Sequence, residues 1–279
     1  MQRIDGESLA ASIRERVKDD IAATEIRPKF GVLLVGDDAA SHLYVNRKEK
    51  ACIEAGIETD IRRMPASTSD EELLEIINQW NADEELDAIL IQVPLPPGHD
   101  TDALIAAMDP RKDADGFHPE NTAALLDGSG LVFPPVHIGI LRLIAATPRD
   151  MRNAKATIIA NSDTFSTPLE RLLKTAGCFV TSYHPDDLDR NIVQDSDIII
   201  IAVGRAAFLT RDMVKSDAVI IDVGTNRTAE GKLVGDADEK NLADIPGWIS
   251  PVPGGVGPMT IACLLANTLT ARCRAHGLA

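Results

Sequence analysis

Along the chain, short uninterrupted apolar runs alternate with stretches whose apolar residues recur at helical spacing. Residues 30–35 read FGVLLV and stop at Gly36; residues 88–93 read AILIQV and stop at Pro94-Leu95-Pro96-Pro97. Further runs fall at 156–160, 178–182, 198–203 and 218–223. A β-branched run without polar alternation is a strand covered on both faces, and a helix after each one makes the sheet parallel. Between the first two runs, residues 39–55 have helical spacing and stop at Gly56. Thr68 and Glu71 are spaced as a capping box that opens a helix through Leu73, Leu74, Ile76 and Ile77. The pattern predicts an α/β protein.

Its 279 residues suit two lobes at roughly 150 residues each. After the loop 113–121, a helix around 138–146 leads into a second set of strands. The last segment, 259–274, is apolar along one side and follows the Gly/Pro-rich residues 251–258. It comes after the second strand set, so it can return to the first lobe. The expected division is residues 1–120 plus 254–279, and residues 121–253.

Composition narrows the function. Hydrophobic residues make up 44% and charged residues 25%, enough for a full core. A net charge of −15 argues against nucleic acid or an anionic membrane as partner. Cys52, Cys178, Cys263 and Cys273 form no Cys-x-x-Cys pair, as expected of reduced thiols in a cytosol. The six histidines include no His-Glu-x-x-His, so no metal site is expected. The opening MQRIDGESLA has no apolar segment ahead of Asp5 and Glu7, and the run 198–203 is far short of a membrane span. A soluble cytoplasmic protein is expected.

Four places could carry chemistry. Tyr44 and Lys48, four apart on a helix, share a face; with Arg47, Glu49 and Lys50 around them they read by themselves as a solvated surface pair. A useful lysine needs its pKa lowered by burial or a nearby cation. Asp113 and Asp115 open the irregular stretch DADGFHP, where turn chemistry alone would favour Asp and Gly. Gln92 lies at the end of an apolar strand, where an amide needs partners and a ligand can be one. Residues 251–260, PVPGGVGPMT, combine rigid prolines with glycines that let a backbone approach closely.

Taken together, these pieces resemble the bifunctional methylenetetrahydrofolate dehydrogenase/methenyltetrahydrofolate cyclohydrolase family over almost the whole chain. The resemblance rests on Ile4-Asp5-Gly6, Tyr44-Val45-x-x-Lys48, Gln92-Val93-Pro94-Leu95-Pro96 and Lys112-Asp113-Ala114-Asp115-Gly116-Phe117-His118-Pro119. It continues through Ala202-Val203-Gly204, Asp222-Val223-Gly224-Thr225-Asn226, Val234-Gly235-Asp236 and PVPGGVGPMT. It implies an N-terminal folate lobe, a Rossmann-like NADP lobe, a C-terminal helix that returns to the first lobe, and a homodimer. It implies further that Lys48 is the catalytic lysine, that Gln92 tunes it, that Tyr44 flanks the pterin and that Asp115 anchors its amino-pyrimidine edge. Pro253, Gly254 and Gly255 would close on the folate; Ser162, Pro168, Val203, Gly204, Thr225 and Thr260 would meet the dinucleotide. The implied activity interconverts methylene-, methenyl- and 10-formyltetrahydrofolate.

The departures gather on the dinucleotide side. Where the family has G-R-S-x-x-V-G-x-P, residues 160–168 read ANSDTFSTP; where it has P-C-T-P, residues 134–137 read PPVH. Both glycines are replaced, by Ala160 and Ser166, and Asn161 stands in place of the arginine that meets a 2′-phosphate. Asp163 adds negative charge, Val136 lacks a hydroxyl, and Arg205 is the nearest cation that could compensate. Weak NADP binding is expected, which leaves NADP, NAD and no dinucleotide open, with cyclohydrolase chemistry alone as the alternative. A non-catalytic folate-binding subunit and an amino-acid- or shikimate-type dehydrogenase fit less well, because Lys48, Gln92, Asp115 and PVPGGVGPMT are all present.

Overall fold

The apolar runs become parallel strands. In the computed structural model, which describes residues 1–24 and 26–278, the strands are β1 (Gln2–Arg3), β2 (Lys29–Val35), β3 (Glu58–Met64), β4 (Ala88–Ile91), β5 (Lys155–Ala160), β6 (Phe179–Tyr183), β7 (Ile198–Ala202), β8 (Ala218–Asp222), β9 (Asn226–Arg227), β10 (Leu233–Val234) and β11 (Gly247–Ile249). The helices are α1 (Gly6–Thr24), α2 (Ala39–Ala55), α3 (Asp70–Ala82), α4 (Thr101–Ala106), α5 (Pro119–Asp127), α6 (Pro135–Ala145), α7 (Asp163–Thr175), α8 (Arg190–Gln194), α9 (Glu239–Leu242) and α10 (Val256–Ala275). The chain divides into two units: Ala11–Pro135 with Ile261–Ala279, and Met1–Ala10 with Val136–Thr260.

The first unit is built on a parallel sheet of order β3-β2-β4. The reason β2 is apolar throughout is that both its faces are covered. Phe30, Val32 and Leu34 pack with Val17, Ile21, Val45 and Cys52, and with Leu264, Leu265 and Leu269 of α10. Leu33 and Val35 pack on the other side with Leu73, Ile77, Trp80 and Leu104. The return of α10 to this lobe is therefore a burial of its apolar side. Strand β3 gave no signal, because its sequence ETDIRRM lies half-exposed at the sheet edge and is held by main-chain pairing to β2. The capping box of α3 is one residue later than expected: Ser69 accepts from the Glu72 N–H at 3.3 Å, and Glu72 accepts from the Ser69 N–H at 2.9 Å.

The second unit carries a six-stranded parallel sheet of order β1-β11-β8-β7-β5-β6. Chain order reverses between β5 and β7, since β6 lies on one side of β5 and β7, β8 and β11 on the other. That reversal opens a crevice at the carboxyl ends of the strands, the usual ligand position in such sheets. Helix α10 begins at Val256 rather than near Met259, so Gly257 and Pro258 lie in its first turn. A proline is tolerated there because the opening amides of a helix have no partner within it.

Candidate active site and dinucleotide lobe

Lys48 is on the inner face of α2. Val45, Lys48, Cys52 and Ala55 are buried along one stripe, while Arg47 and Lys50 point to solvent. The reading of a solvated pair is corrected: helical rotation separates Lys48 from its charged neighbours, and Tyr44, one turn earlier, is half-buried. The Lys48 amine donates to Gln92 Oε1 at 2.9 Å, and Gln92 Nε2 donates to the Val93 carbonyl at 2.7 Å. This second bond settles which end of the amide faces the lysine. Gln92 lies just past β4, yet its N–H still reaches Leu33 O at 2.8 Å, so the sheet fixes the side chain's origin.

The two aspartates have different duties. Asp113 pairs beside Ile89 as an extra bridge on the β4 edge. Its carboxylate accepts from the amides of Asp115 (3.2 Å), Gly116 (2.9 Å) and His118 (2.8 Å) and from Asn121 Nδ2 (2.9 Å). That is turn chemistry, and it belongs to Asp113. Asp115, two residues on and half-buried, is close enough to Lys48 for their charges to act on each other.

Burial shapes the electrostatics. It pulls the Lys48 amine below its ordinary range, against the opposing effects of Asp115 and Cys52. It lifts the Asp115 carboxyl, which Lys48 draws back down and Asp113 raises further. The Cys52 thiol, one turn beyond Lys48, is pushed up to about 12 by burial, so it stays protonated and is no nucleophile at neutral pH. The lowering of Lys48 thus comes from burial, one of the two causes that the sequence left open.

In the second unit, Asn161 follows β5 and donates to the Val203 carbonyl after β7 at 2.7 Å. It therefore ties together the two strand ends that flank the crevice. Ser162 caps α7 by position, its carbonyl accepting from the Phe165 (3.2 Å) and Ser166 (3.0 Å) amides, but makes no side-chain cap bond to the first turn. Ala160 and Ser166, in the glycine positions, are 6% and 7% exposed, so their side-chain atoms are absorbed by packing. Pro168 is also buried, inside α7. Gly204 and Thr225 are exposed at the ends of β7 and β8, while Val203 is buried.

Two carboxylates hold these loops. Asp236 accepts from the amides of Val203 (2.6 Å), Gly204 (3.1 Å) and Arg205 (2.9 Å) and from Asn226 Nδ2 (2.9 Å). Asp222 accepts from Gly224 (2.9 Å), Asp236 (3.0 Å) and Ala237 (2.8 Å). A Cβ on Gly224 would strike the Asp236 carboxylate and one on Gly235 would strike that of Asp222, which explains both Gly–Asp pairings in the sequence. Burial pushes Asp222 up to about 7, with Asp236 adding to it against the amides.

His137 is a feature that sequence reasoning passed over. It is fully buried, neither ring nitrogen has a partner of full hydrogen-bond geometry although the Phe165 backbone lies close enough to oppose the effect of burial, and its ring meets Phe165 edge-on at 5.0 Å between centroids. Burial lowers it to about 3, so it is neutral. Both rings occupy positions where the family pattern has smaller residues.

Of the glycine-rich stretch, Pro253 is exposed after a cis peptide and Gly255 is buried, where its carbonyl would collide with any side chain at Gly6. Close backbone approach thus joins the first and last motifs. Thr260, in α10, donates its hydroxyl to the Val256 carbonyl at 3.0 Å. None of the four cysteines is in a disulfide. Among the described residues there is no acid, histidine or cysteine cluster able to hold a metal, and no helix is long and apolar enough to cross a membrane.

Comparison with known proteins agrees with this geometry. Residues 4–115 match the model of the tetrahydrofolate dehydrogenase/cyclohydrolase catalytic domain, and residues 134–276 that of its NAD(P)-binding domain. The bifunctional protein FolD of Acidiphilium cryptum is 45% identical over 269 residues, covering 96% of each chain. The crystal structure of the FolD methylenetetrahydrofolate dehydrogenase/cyclohydrolase from Campylobacter jejuni is 38% identical with a TM-score of 0.93, covering 98% of this chain and 99% of that one. The Trypanosoma brucei FolD complexed with NADP cofactor and inhibitor is 29% identical, again with a TM-score of 0.93 and 98% coverage of both. This chain belongs to the tetrahydrofolate dehydrogenase/cyclohydrolase family.

Proposed function

We propose that the protein interconverts methylene-, methenyl- and 10-formyltetrahydrofolate, with Lys48 as the proton acceptor of the hydrolytic step. The observation that carries this reading is a buried Lys48 amine held at 2.9 Å by the Gln92 carbonyl oxygen, with Asp115 beside it. A lysine lowered by burial supplies a usable fraction of neutral amine, which a solvated one does not. As water adds to the one-carbon bridge of the methenyl cation, Lys48 takes one of its protons. The ring then opens: the bond from that carbon to N5 breaks, the proton of the added hydroxyl passes to N5 as the C=O forms, and the formyl group stays on N10. Gln92 keeps the amine aimed, while Asp115 accepts hydrogen bonds from the pterin donors and Tyr44 flanks the ring. Pro253, Gly254 and Gly255 are assigned to folate closure.

The second unit fits a nicotinamide dinucleotide. Its crevice lies at the strand-order reversal, α7 opens without a side-chain cap, and Gly204 is exposed in the left-handed region with open space where a Cβ would stand. A bound nicotinamide dinucleotide would supply the acceptor for the hydride that leaves the methylene bridge. Ser162, Gly204, Thr225 and Thr260 are the groups assigned to it, with Pro168 and Val203 shaping the loops behind them. A 2′-phosphate is not well served, because Asn161 is turned inward to Val203, and NADP binding is accordingly weak. The same reading places the enzyme in the cytoplasm as a homodimer.

The test is hydrolysis of methenyltetrahydrofolate, followed as loss of its absorbance under conditions of slow spontaneous opening. Lys48→Met should reduce the rate by about a hundredfold or more. Equal rates for wild type, variant and buffer would remove Lys48 from the chemistry.

A further inference from the structure

The sheet order of the second unit puts β5 between β6 and β7. Tyr183 of β6 pairs with Ile159, and Ala202 of β7 pairs with Ala160, so the two outer strands end at nearly the same level. Three residues past each end stand Asp186 and Arg205, and their side chains meet at 2.8 Å. Strands two places apart are separated by roughly 10 Å. The ion pair therefore reaches across the carboxyl end of β5, where the turn into α7 begins.

Arg205 is fixed at both ends. Its N–H is held by Asp236 at 2.9 Å and its guanidinium by Asp186, with the Phe208 ring centroid 5.8 Å from it. Asp186 belongs to the short turn Pro185–Asp187 and is held below the usual carboxylate range, first by its bond to Arg205. His184 lies 3.7 Å from it and Asp187 follows it. Both members of the pair are well exposed, at 47% and 61% of their side-chain surface. An exposed pair of this kind is weak and easily exchanged for other partners.

In a strand–turn–helix–strand nucleotide fold, an acid about 20 residues past the turn accepts from the hydroxyls of the adenosine ribose. Asp186 has that place. Resting on the reading that this unit holds a nicotinamide dinucleotide, we infer that the Asp186–Arg205 pair selects NAD over NADP. On binding, Asp186 exchanges Arg205 for the 2′- and 3′-hydroxyls, two donors that a carboxylate accepts together. A 2′-phosphate would instead face that carboxylate and Asp187, with Asn161 committed to Val203 and Arg205 already neutralised.

The experiment is calorimetric titration of the full chain with NAD and with NADP, in wild type, Asp186→Ser, Arg205→Met and the double variant. Both residues are exposed, and unchanged melting temperatures would certify that the variants fold. Wild type should bind NAD at least tenfold more tightly than NADP. Asp186→Ser should weaken NAD at least tenfold and tighten NADP at least fivefold, because Arg205 is released to meet the phosphate. The double variant should lose that NADP gain, and Arg205→Met alone should leave NAD affinity within threefold. Wild type binding NADP as tightly as NAD, or an Asp186→Ser affinity ratio within twofold of wild type, would overturn the selection while leaving the dinucleotide reading in place. Binding of neither dinucleotide, with methenyl hydrolysis intact, would overturn the dinucleotide reading and the selection with it.

Discussion

The Lys48 cluster and the turn after β5 are both departures from ordinary packing, but of opposite kinds. Around Lys48 the partners are defined: the amine rests on Gln92, Gln92 on Val93, and Asp113 holds the loop that presents Asp115. At the turn, substitutions have been taken into the interior. Ala160 and Ser166 are buried, Asn161 is spent on Val203, and His137 sits against Phe165 with no partner for either nitrogen. A satisfied polar cluster in a low-dielectric site marks a place where chemistry constrains the residues. The unsatisfied His137 marks one where packing has been rearranged and ligand contacts have moved elsewhere. The comparison teaches that the hydrolytic half of the protein is the more sharply specified.

The largest expected effect tests the specified half. Asp115→Asn should cost folate affinity about 2–4 kcal/mol, as loss of a buried charged acceptor does, measured by direct titration with a folate analogue. It should also move the pH profile. Asp115 raises the Lys48 pKa against burial, so removing its charge lowers that pKa and brings the neutral amine in at lower pH. The rising limb of hydrolysis rate against pH should shift to the acid side. Unchanged affinity would put the pterin elsewhere, and a limb shifted to the alkaline side would break the assignment of Lys48 as the base.

The rearranged half is tested by His137→Leu. Two unpaired buried nitrogens cost about 1–3 kcal/mol, and losing the edge contact with Phe165 gives back about 0.5–1.5 kcal/mol, so the variant should be more stable at neutral pH by about 1 kcal/mol. The acid side is more telling. The folded-state pKa of His137 is lowered from 6.5 to about 3, so its titration costs nothing above 6.5, and stability is lost as pH falls from there towards 3. By about pH 4.5 that loss reaches about 2–3 kcal/mol in wild type, and the leucine variant is spared it. Urea unfolding at both pH values measures the difference. Parallel stability–pH curves would mean that His137 has a partner or can reach water.

Much of this was legible in the sequence, for identifiable reasons. Continuous apolar runs such as IIIIA mark strands covered on both sides, and the helix 39–55 showed its stop at Gly56. Lys48 was legible as a candidate only through its company, because charges on either side hid the fact that rotation buries it. Strand β3 was invisible because an edge strand can be polar when the main chain holds it. Spacing alone did not separate Asp113 from Asp115; the family resemblance singled out Asp115, and only the fold shows that Asp113 bonds the turn amides. The Asp222–Asp236 lock and the Asp186–Arg205 pair join residues 14 and 19 apart through strand order, which spacing alone does not encode.

The smallest effect bears on the glycine positions. In a phosphate-binding turn, a side chain replacing glycine obstructs the ligand only if it projects into the space that the ligand occupies. Here Ala160 and Ser166 are buried, so their extra atoms contact protein rather than open crevice. Restoring glycine should therefore not restore binding. Ala160→Gly and Ser166→Gly should each lower stability by roughly 0.5–1 kcal/mol, through lost packing and added freedom of the unfolded chain. NAD and NADP affinities should stay within twofold of wild type in both variants. If either glycine tightened a dinucleotide tenfold or more, the turn would be sterically closed in the native chain, and the contrast would lie in obstruction rather than in the loss of a cation at Asn161. If both remain neutral, the substitutions are accommodated drift, and nucleotide choice passes to the charged residues at the neighbouring strand ends.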